Sequence, residues 1–251
     1  RYLASTLGLG IVVLAAGALN AERRRAVGLS RVVFLLVPLV VFQGLLGMWT
    51  VTLLLKPLVV SGHLLGGLST LALLWWNLLC VRGLRPVGRA GMVGTLARVA
   101  TCVLVLQIFI GGWTSANYAA LACTDFPTCQ GRWLPDTDFR EAFVLWRGLG
   151  VNYEFGVLET PARTAVHFTH RLGALVTSLV VLLTVAAAFT RAEPRLRQIA
   201  SCILAAVLLQ VGLGITNVVG GLPLPVAVAH NGVAALLLLS CLTLVFATRR
   251  T

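Results

Sequence analysis

Four histidines, His63, His167, His170 and His230, make up the whole histidine complement, and each falls inside or at the start of a long apolar stretch. An ionisable side chain in such a stretch is costly, and its usual justification is function. Neutral imidazole is the common axial ligand of heme iron, and two histidines on facing helices of a bundle can clamp a heme between them. His170 and His230 sit at matching depth in the second part of the chain and form a candidate pair of heme iron ligands. His63 is a third candidate iron ligand, in the first part. His167 lies three residues before His170, on the same helix face, and so neighbours the ligand. Arg171 follows directly, and its planar guanidinium suits a heme propionate. The bland alternative is that each histidine hydrogen-bonds a backbone carbonyl of a neighbouring helix. Zinc is disfavoured, because no carboxylate or thiol ligands accompany the histidines.

An internal repeat places three of these residues. Gln43-Gly44-Leu45-Leu46-Gly47 precedes Pro57 and His63, and Gln210-Val211-Gly212-Leu213-Gly214 precedes Pro225 and His230. The glutamine-to-histidine distance is 20 residues in both. A looser match aligns Arg1-Tyr2-Leu3-Ala4 with Arg171-Leu172-Gly173-Ala174, each running into a basic turn at Ala21-Glu22 or Ala192-Glu193. The residue before Arg171 is His170, so the repeat predicts a histidine immediately upstream of Arg1 and one further span before it. The expected whole is two pseudo-symmetric four-helix halves with eight spans. In this chain the halves divide as 1–95 and 96–251, with an outer loop at 118–162.

Cys80, Cys102, Cys202 and Cys241 scatter through apolar stretches and read as small buried hydrophobes. Cys123 and Cys129 differ, lying six apart in the outer loop. On an oxidising side of a membrane they suit a disulfide, either structural or redox-active, with the structural role favoured.

These residues need helices in lipid to position them. The chain has 251 residues, 58% hydrophobic and 11% charged, with mean hydropathy +0.93. A soluble domain carries about 25% charge, so a soluble fold, disorder and a disulfide-stapled mini-protein are excluded. Long unbroken apolar runs also exclude a transmembrane β-barrel, whose segments alternate. An all-α integral membrane fold remains, with seven windows near the ~20 residues a bilayer demands: 2–19, 31–54, 58–80, 96–117, 163–189, 198–218 and 226–247. Net charge is +12, yet thirteen of the twenty basic residues sit on alternate connections, at Arg23–Arg25 and Arg31, Arg82, Arg85, Arg89 and Arg98, Arg191, Arg195 and Arg197, and Arg249 and Arg250. By the positive-inside rule these connections and the C-terminus face the cytoplasm, in a bacterium across the inner membrane. The charge is a topology signal, and nucleic-acid binding is disfavoured. Six of the eight acids, Asp125, Asp136, Asp138, Glu141, Glu154 and Glu159, fall on the outer loop. Tryptophans 49, 75, 76, 113, 133 and 146 read mostly as interfacial belt residues.

The run from Gly111 to Trp133, including Thr-Ser-Ala-Asn-Tyr-Ala-Ala-Leu-Ala-Cys-Thr-Asp-Phe-Pro-Thr-Cys-Gln-Gly at 114–131, together with His170-Arg171, His63 and His230, resembles the heme A synthase family over essentially the whole chain. The resemblance implies a membrane oxidoreductase of two four-helix halves that oxidises the C8 methyl of heme O to a formyl group, making heme A for cytochrome c oxidase. It implies a heme b cofactor held by His170 and His230, and a substrate heme held by His63 and the histidine expected upstream. The family also has a glutamate three residues before that histidine; the matching position in the second half is His167. Partners implied by analogy are heme O, membrane lipid, the heme O-making enzyme and oxidase assembly factors. Two other readings use the same features. A non-catalytic b-type cytochrome would bind heme without converting heme O, and a heme transporter would move substrate without chemical change.

Overall fold

The computed structural model describes residues 2–87, 91–191 and 193–249. Arg1, Arg89, Arg250 and Ala192, used above for topology and repeat, lie outside the described residues. Among the described residues the regular structure is helical, apart from one isolated bridge between Cys129 and Arg132. The order is α1 (Tyr2–Gly17), α2 (Ala21–Val27), a 3-10 turn (Arg31–Leu35), α3 (Leu36–Thr52), α4 (Pro57–Val81), α5 (Gly91–Ala116), α6 (Phe139–Ala142), α7 (Thr160–Phe189), α8 (Pro194–Val219) and α9 (Leu224–Ala247). Six helical segments are long and apolar enough to cross a membrane. The seventh expected span is shorter than read: α1 has 16 residues and bends by 111° into α2. The break is built from local chemistry. Asn20 caps α2 by accepting from the N–H groups of Glu22 and Arg23, and Gly28 ends it at φ +77°, where a side chain would be strained. The protein is a multi-pass membrane protein.

Proline sets where several spans begin. Pro57, Pro161 and Pro194 each stand in the first turn of a helix, where the missing N–H costs nothing. Helices α5, α7, α8 and α9 then close a four-membered ring, α5 against α7 and α9, and α8 against α7 and α9. Helices α7 and α9 therefore occupy opposite corners. Helix α4 packs on α5 and α9 and carries α3, which in turn contacts α1.

The ring is solid at one end. Val93, Ala97, Ala100 and Leu104 of α5 meet Val181 and Val185 of α7, Ala200, Ile203 and Val207 of α8, and Leu237, Leu238 and Leu244 of α9. Basic connections gather at this end, where Arg195 donates to the Arg85 carbonyl and Val87 N–H to the Ala247 carbonyl. Trp75 Nε1 donates to Thr243, and Trp76 stacks edge-on against Phe246. Of the four free cysteines only Cys241 is buried; Cys102 and Cys202 lie on exposed helix faces, which in an apolar bundle surface carries no penalty.

The connection 117–159 caps the opposite end. Trp113 is 2% exposed and donates to the Ala142 carbonyl, so it is a loop anchor rather than a belt residue. Lys56 is 1% exposed, with its ammonium on the Gly148 carbonyl and over the Trp146 ring, 3.5 Å from its centroid. Cys123 and Cys129 form a disulfide. Inside that ring Asp125 accepts from the Thr128 hydroxyl and from the Gln130 and Gly131 N–H groups. These bonds, the Thr128 hydroxyl foremost, hold its carboxyl at about 2.

Three outcomes test this architecture. Gly112 lies where an added Cβ would come within 2.9 Å of Leu64 on α4, whereas nothing surrounds Gly10 within 4 Å. Gly112→Val should lower the melting temperature in detergent, and Gly10→Ala should not. Alkylation of the denatured protein without reduction should label four of the six cysteines, and all six after reduction. Because Asp125 is held below its unfolded value, its contribution to loop order is present above the ordinary carboxylate range and lost as pH falls towards about 2. Proteolysis of the loop should stay constant from neutral pH to about 4 and rise below it, and Asp125→Asn should abolish that acid step.

Candidate functional site

Directly above the solid core, the ring changes character. No residue is buried in stretches 105–111 of α5, 168–176 of α7, 208–217 of α8 or 224–232 of α9. A close-packed four-helix core would bury side chains in every turn of each helix. This band instead contains Gln107, Gly111, His170, Gln210, Gly214 and His230. His170 and His230 project from α7 and α9, the opposite corners of the ring, so no helix-to-helix packing joins the elements that carry them.

Each histidine is seated in the same way. The ring Cε1 of His170 lies 3.1 Å from where a Cβ of Gly111 would stand, that of His230 3.2 Å from a Gly214 Cβ, and that of His63 3.2 Å from a Gly47 Cβ. Any side chain at these glycines would press on the imidazole. One turn before each glycine stands a glutamine. Gln43 Nε2 donates to the His63 carbonyl at 2.9 Å. Gln107 Nε2 donates to the His170 carbonyl at 2.9 Å and meets His170 Nδ1 at 3.0 Å. Gln210 Nε2 meets His230 Nε2 at 3.2 Å. An amide nitrogen only donates, so the ring nitrogen it faces is an acceptor. The Nδ1 atoms of His63 and His230 are buried and without a partner. Unpartnered ring nitrogens are what metal ligation would use, and the site offers imidazole without acids or thiols. Among the described residues, no group of three or more His, Cys, Asp or Glu lies together. That donor set suits heme iron and not a zinc cage.

The structure separates two jobs that adjacent residues share. His167 is 4% exposed and turns to the cap, where its Nδ1 accepts the Cys123 N–H at 3.2 Å. Arg171 was read as a propionate partner, but its guanidinium is committed to the disulfide loop. Nη1 donates to the Thr128 carbonyl at 2.7 Å, and Nη2 to the carbonyls of Asp125 at 2.7 Å and Cys123 at 3.1 Å. Gln130 adds a fourth tie, from Nε2 to Thr164 Oγ1 at 3.0 Å. The disulfide loop is thus fastened to α7 on both sides of His170 in sequence. His63 stands apart on α4, which packs against α5 and α9.

Sequence reading missed Gln107 and Gly111. The signal was present: Gln-x-x-x-Gly recurs at 43–47, 107–111 and 210–214, each time on the helix that precedes a histidine-bearing helix. In the middle copy the long capping loop separates Gln107 from His170 by 63 residues, which hid the pairing.

Known proteins resemble this chain over most of its length. The family model described as cytochrome oxidase assembly protein matches residues 1–242. A protein of Shewanella oneidensis named heme A synthase is 43% identical over 97% of this chain and 73% of its own length. Heme A synthase of Granulibacter bethesdensis is 30% identical over 72% of the chain and 45% of its own length. That of Rhodospirillum centenum is 34% identical over 61% of the chain and 38% of its own length. The matched span and the shared identity are enough to place it: this chain belongs to the cytochrome oxidase assembly protein family.

Proposed function

We propose that the protein is a heme A synthase, an oxidoreductase that converts the C8 methyl of heme O to a formyl group to supply heme A. The observation that carries this reading is the band of the α5–α7–α8–α9 ring that contains no buried residue and carries His170 and His230 on opposite corners. Those two imidazoles hold heme b as resident cofactor, and the bound heme supplies one-electron transfer. His63 is a ligand of the substrate heme, in a separate group built on α3 and α4. The similarity to relatives named heme A synthase supports this assignment of chemistry.

The chain's own residues give the site its conditions. Gly47, Gly111 and Gly214 bring the neighbouring backbone against the imidazoles and fix their planes. The apolar core below the band keeps water out from the basic end. Arg171 and His167 hold the disulfide loop as a roof on the other end. The division into a substrate half at 1–95 and a cofactor half at 96–251 follows the same reading. By the charge distribution, the basic end and C-terminus face the cytoplasm of a bacterial inner membrane, and the disulfide cap faces outward. Heme O-making enzyme and oxidase assembly factors are the expected neighbours.

The test is a reduced-minus-oxidised spectrum of the purified protein, with extracted hemes separated by chromatography. Heme b together with heme O or heme A is the expected content, and heme b alone would favour the simple cytochrome. His170→Ala and His230→Ala should each abolish the low-spin heme b signal. An unchanged spectrum in either would overturn the ligand assignment.

A further inference from the structure

The three glutamines share an oddity. The side-chain oxygens of Gln43, Gln107 and Gln210 are all buried without a hydrogen-bond donor. In the first two, the amide is also walled in, because a Cβ on Gly66 or Gly173, three residues after the histidine, would collide with that same oxygen. A buried amide oxygen with no donor is costly, and the same cost appears at three separate helix pairs. The arrangement makes sense if a donor arrives with the ligand. An imidazole that binds metal through one nitrogen carries its proton on the other, and that N–H almost always finds an acceptor. At His170 and His230 the amide that already meets the ring carries such an acceptor, which a turn of the side chain brings to the ring nitrogen.

We infer that these glutamines are positioning residues for the heme-ligating histidines, with Gln107 acting on His170 as the leading case. This rests on the reading that His170 and His230 bind heme iron. Without a ligand, Gln107 Nε2 faces both the His170 carbonyl and Nδ1; when the ring ligates through Nε2, the amide turns so that its orphan oxygen takes the Nδ1 proton. One side chain thereby fixes the ring's orientation and its tautomer, and raises its donor strength towards iron. His230 differs in degree. Val233 stands where the other two brackets have glycine, and Gln210 meets the ring Nε2 and not the backbone carbonyl. Its amide must turn further when the ring is ligated, so the two axial ligands are tuned unequally.

The experiment measures the heme midpoint potential and low-spin spectrum in full-length protein carrying Gln107→Leu or Gln107→Glu, with Gln43→Leu as a control outside the ring. Loss of the acceptor in Gln107→Leu should weaken the ligand and raise the potential at retained heme content. Gln107→Glu, similar in shape with a stronger acceptor, should lower it. Opposite signs are the expected result, with Gln43→Leu leaving the heme b potential in place. Shifts of the same sign, or none, would overturn the inference and leave the ligand assignment standing. If neither Gln107 variant loads heme, the pair Gln210→Leu and Gln210→Glu is read for the same opposite signs on His230. Loss of heme from all four would assign the glutamines to helix packing alone and overturn the inference. The ligand assignment fails separately, through a retained low-spin signal in His170→Ala.

Discussion

A polar side chain inside an apolar bundle has no water to fall back on, so its partners must be built into the neighbouring helix. In this protein that constraint takes one repeated form: a glycine that admits an imidazole, and a glutamine one turn away that bonds the same histidine through its ring or its backbone carbonyl. The form occurs at α3–α4, at α5–α7 and at α8–α9. The rest of the structure can be followed outward from it. The paired helices must lie side by side for the glutamine to reach, α3–α4 and α8–α9 through short connections and α5–α7 across the capping loop. Their backbones must approach closely, which requires Gly47, Gly111 and Gly214 to lack side chains.

The solid core and the cap are the two surfaces that make the bracketed band a site. Below it, Leu104, Val207 and Leu237 end a packed apolar cluster. Above it, Ala119, Ala142 and Leu158 of the cap pack with Trp113, Ala162, Ala165 and Val166, and polar ties hold it as well: Trp113 to Ala142, Lys56 to Gly148, His167 to Cys123 and Arg171 to three carbonyls. Charge-assisted bonds to backbone carbonyls are stronger than neutral ones. Arg171 can therefore act as a rivet, and the disulfide keeps the three carbonyls it grips close together. The residue next to His170 in sequence thus serves the roof, while His170 itself lies in the band.

Repetition also gives a single chain histidine brackets that stand apart. His63 belongs to a bracket on α4, and α4 packs against α5 and α9 without entering the four-helix ring. The His63 bracket closely matches the His170 bracket, down to the glycine three residues after the histidine, while the His230 bracket has Val233 there. In the proposed function one heme is substrate and must leave, and the other stays. Small differences in how an axial imidazole is held are a physical lever for that distinction.

Much of this was legible in the sequence, for a simple reason. Burial in lipid demands uninterrupted apolar runs, so helix number and place follow from composition, and arginine marks alternate turns regardless of packing. The histidines stood out because an ionisable group in such a run needs a cause, and the spacing from Gln43 to His63 and Gln210 to His230 survived as a repeat because no loop intervened. Tertiary structure alone decided what long loops and side-chain direction control. It joined Gln107 to His170 across the capping loop, turned Arg171 from a ligand's charge to the loop's carbonyls, buried Trp113, and bent α1 into α2. Those outcomes depend on which elements meet in space, and linear spacing carries no information about a contact once a segment as long as 117–159 is inserted between its partners.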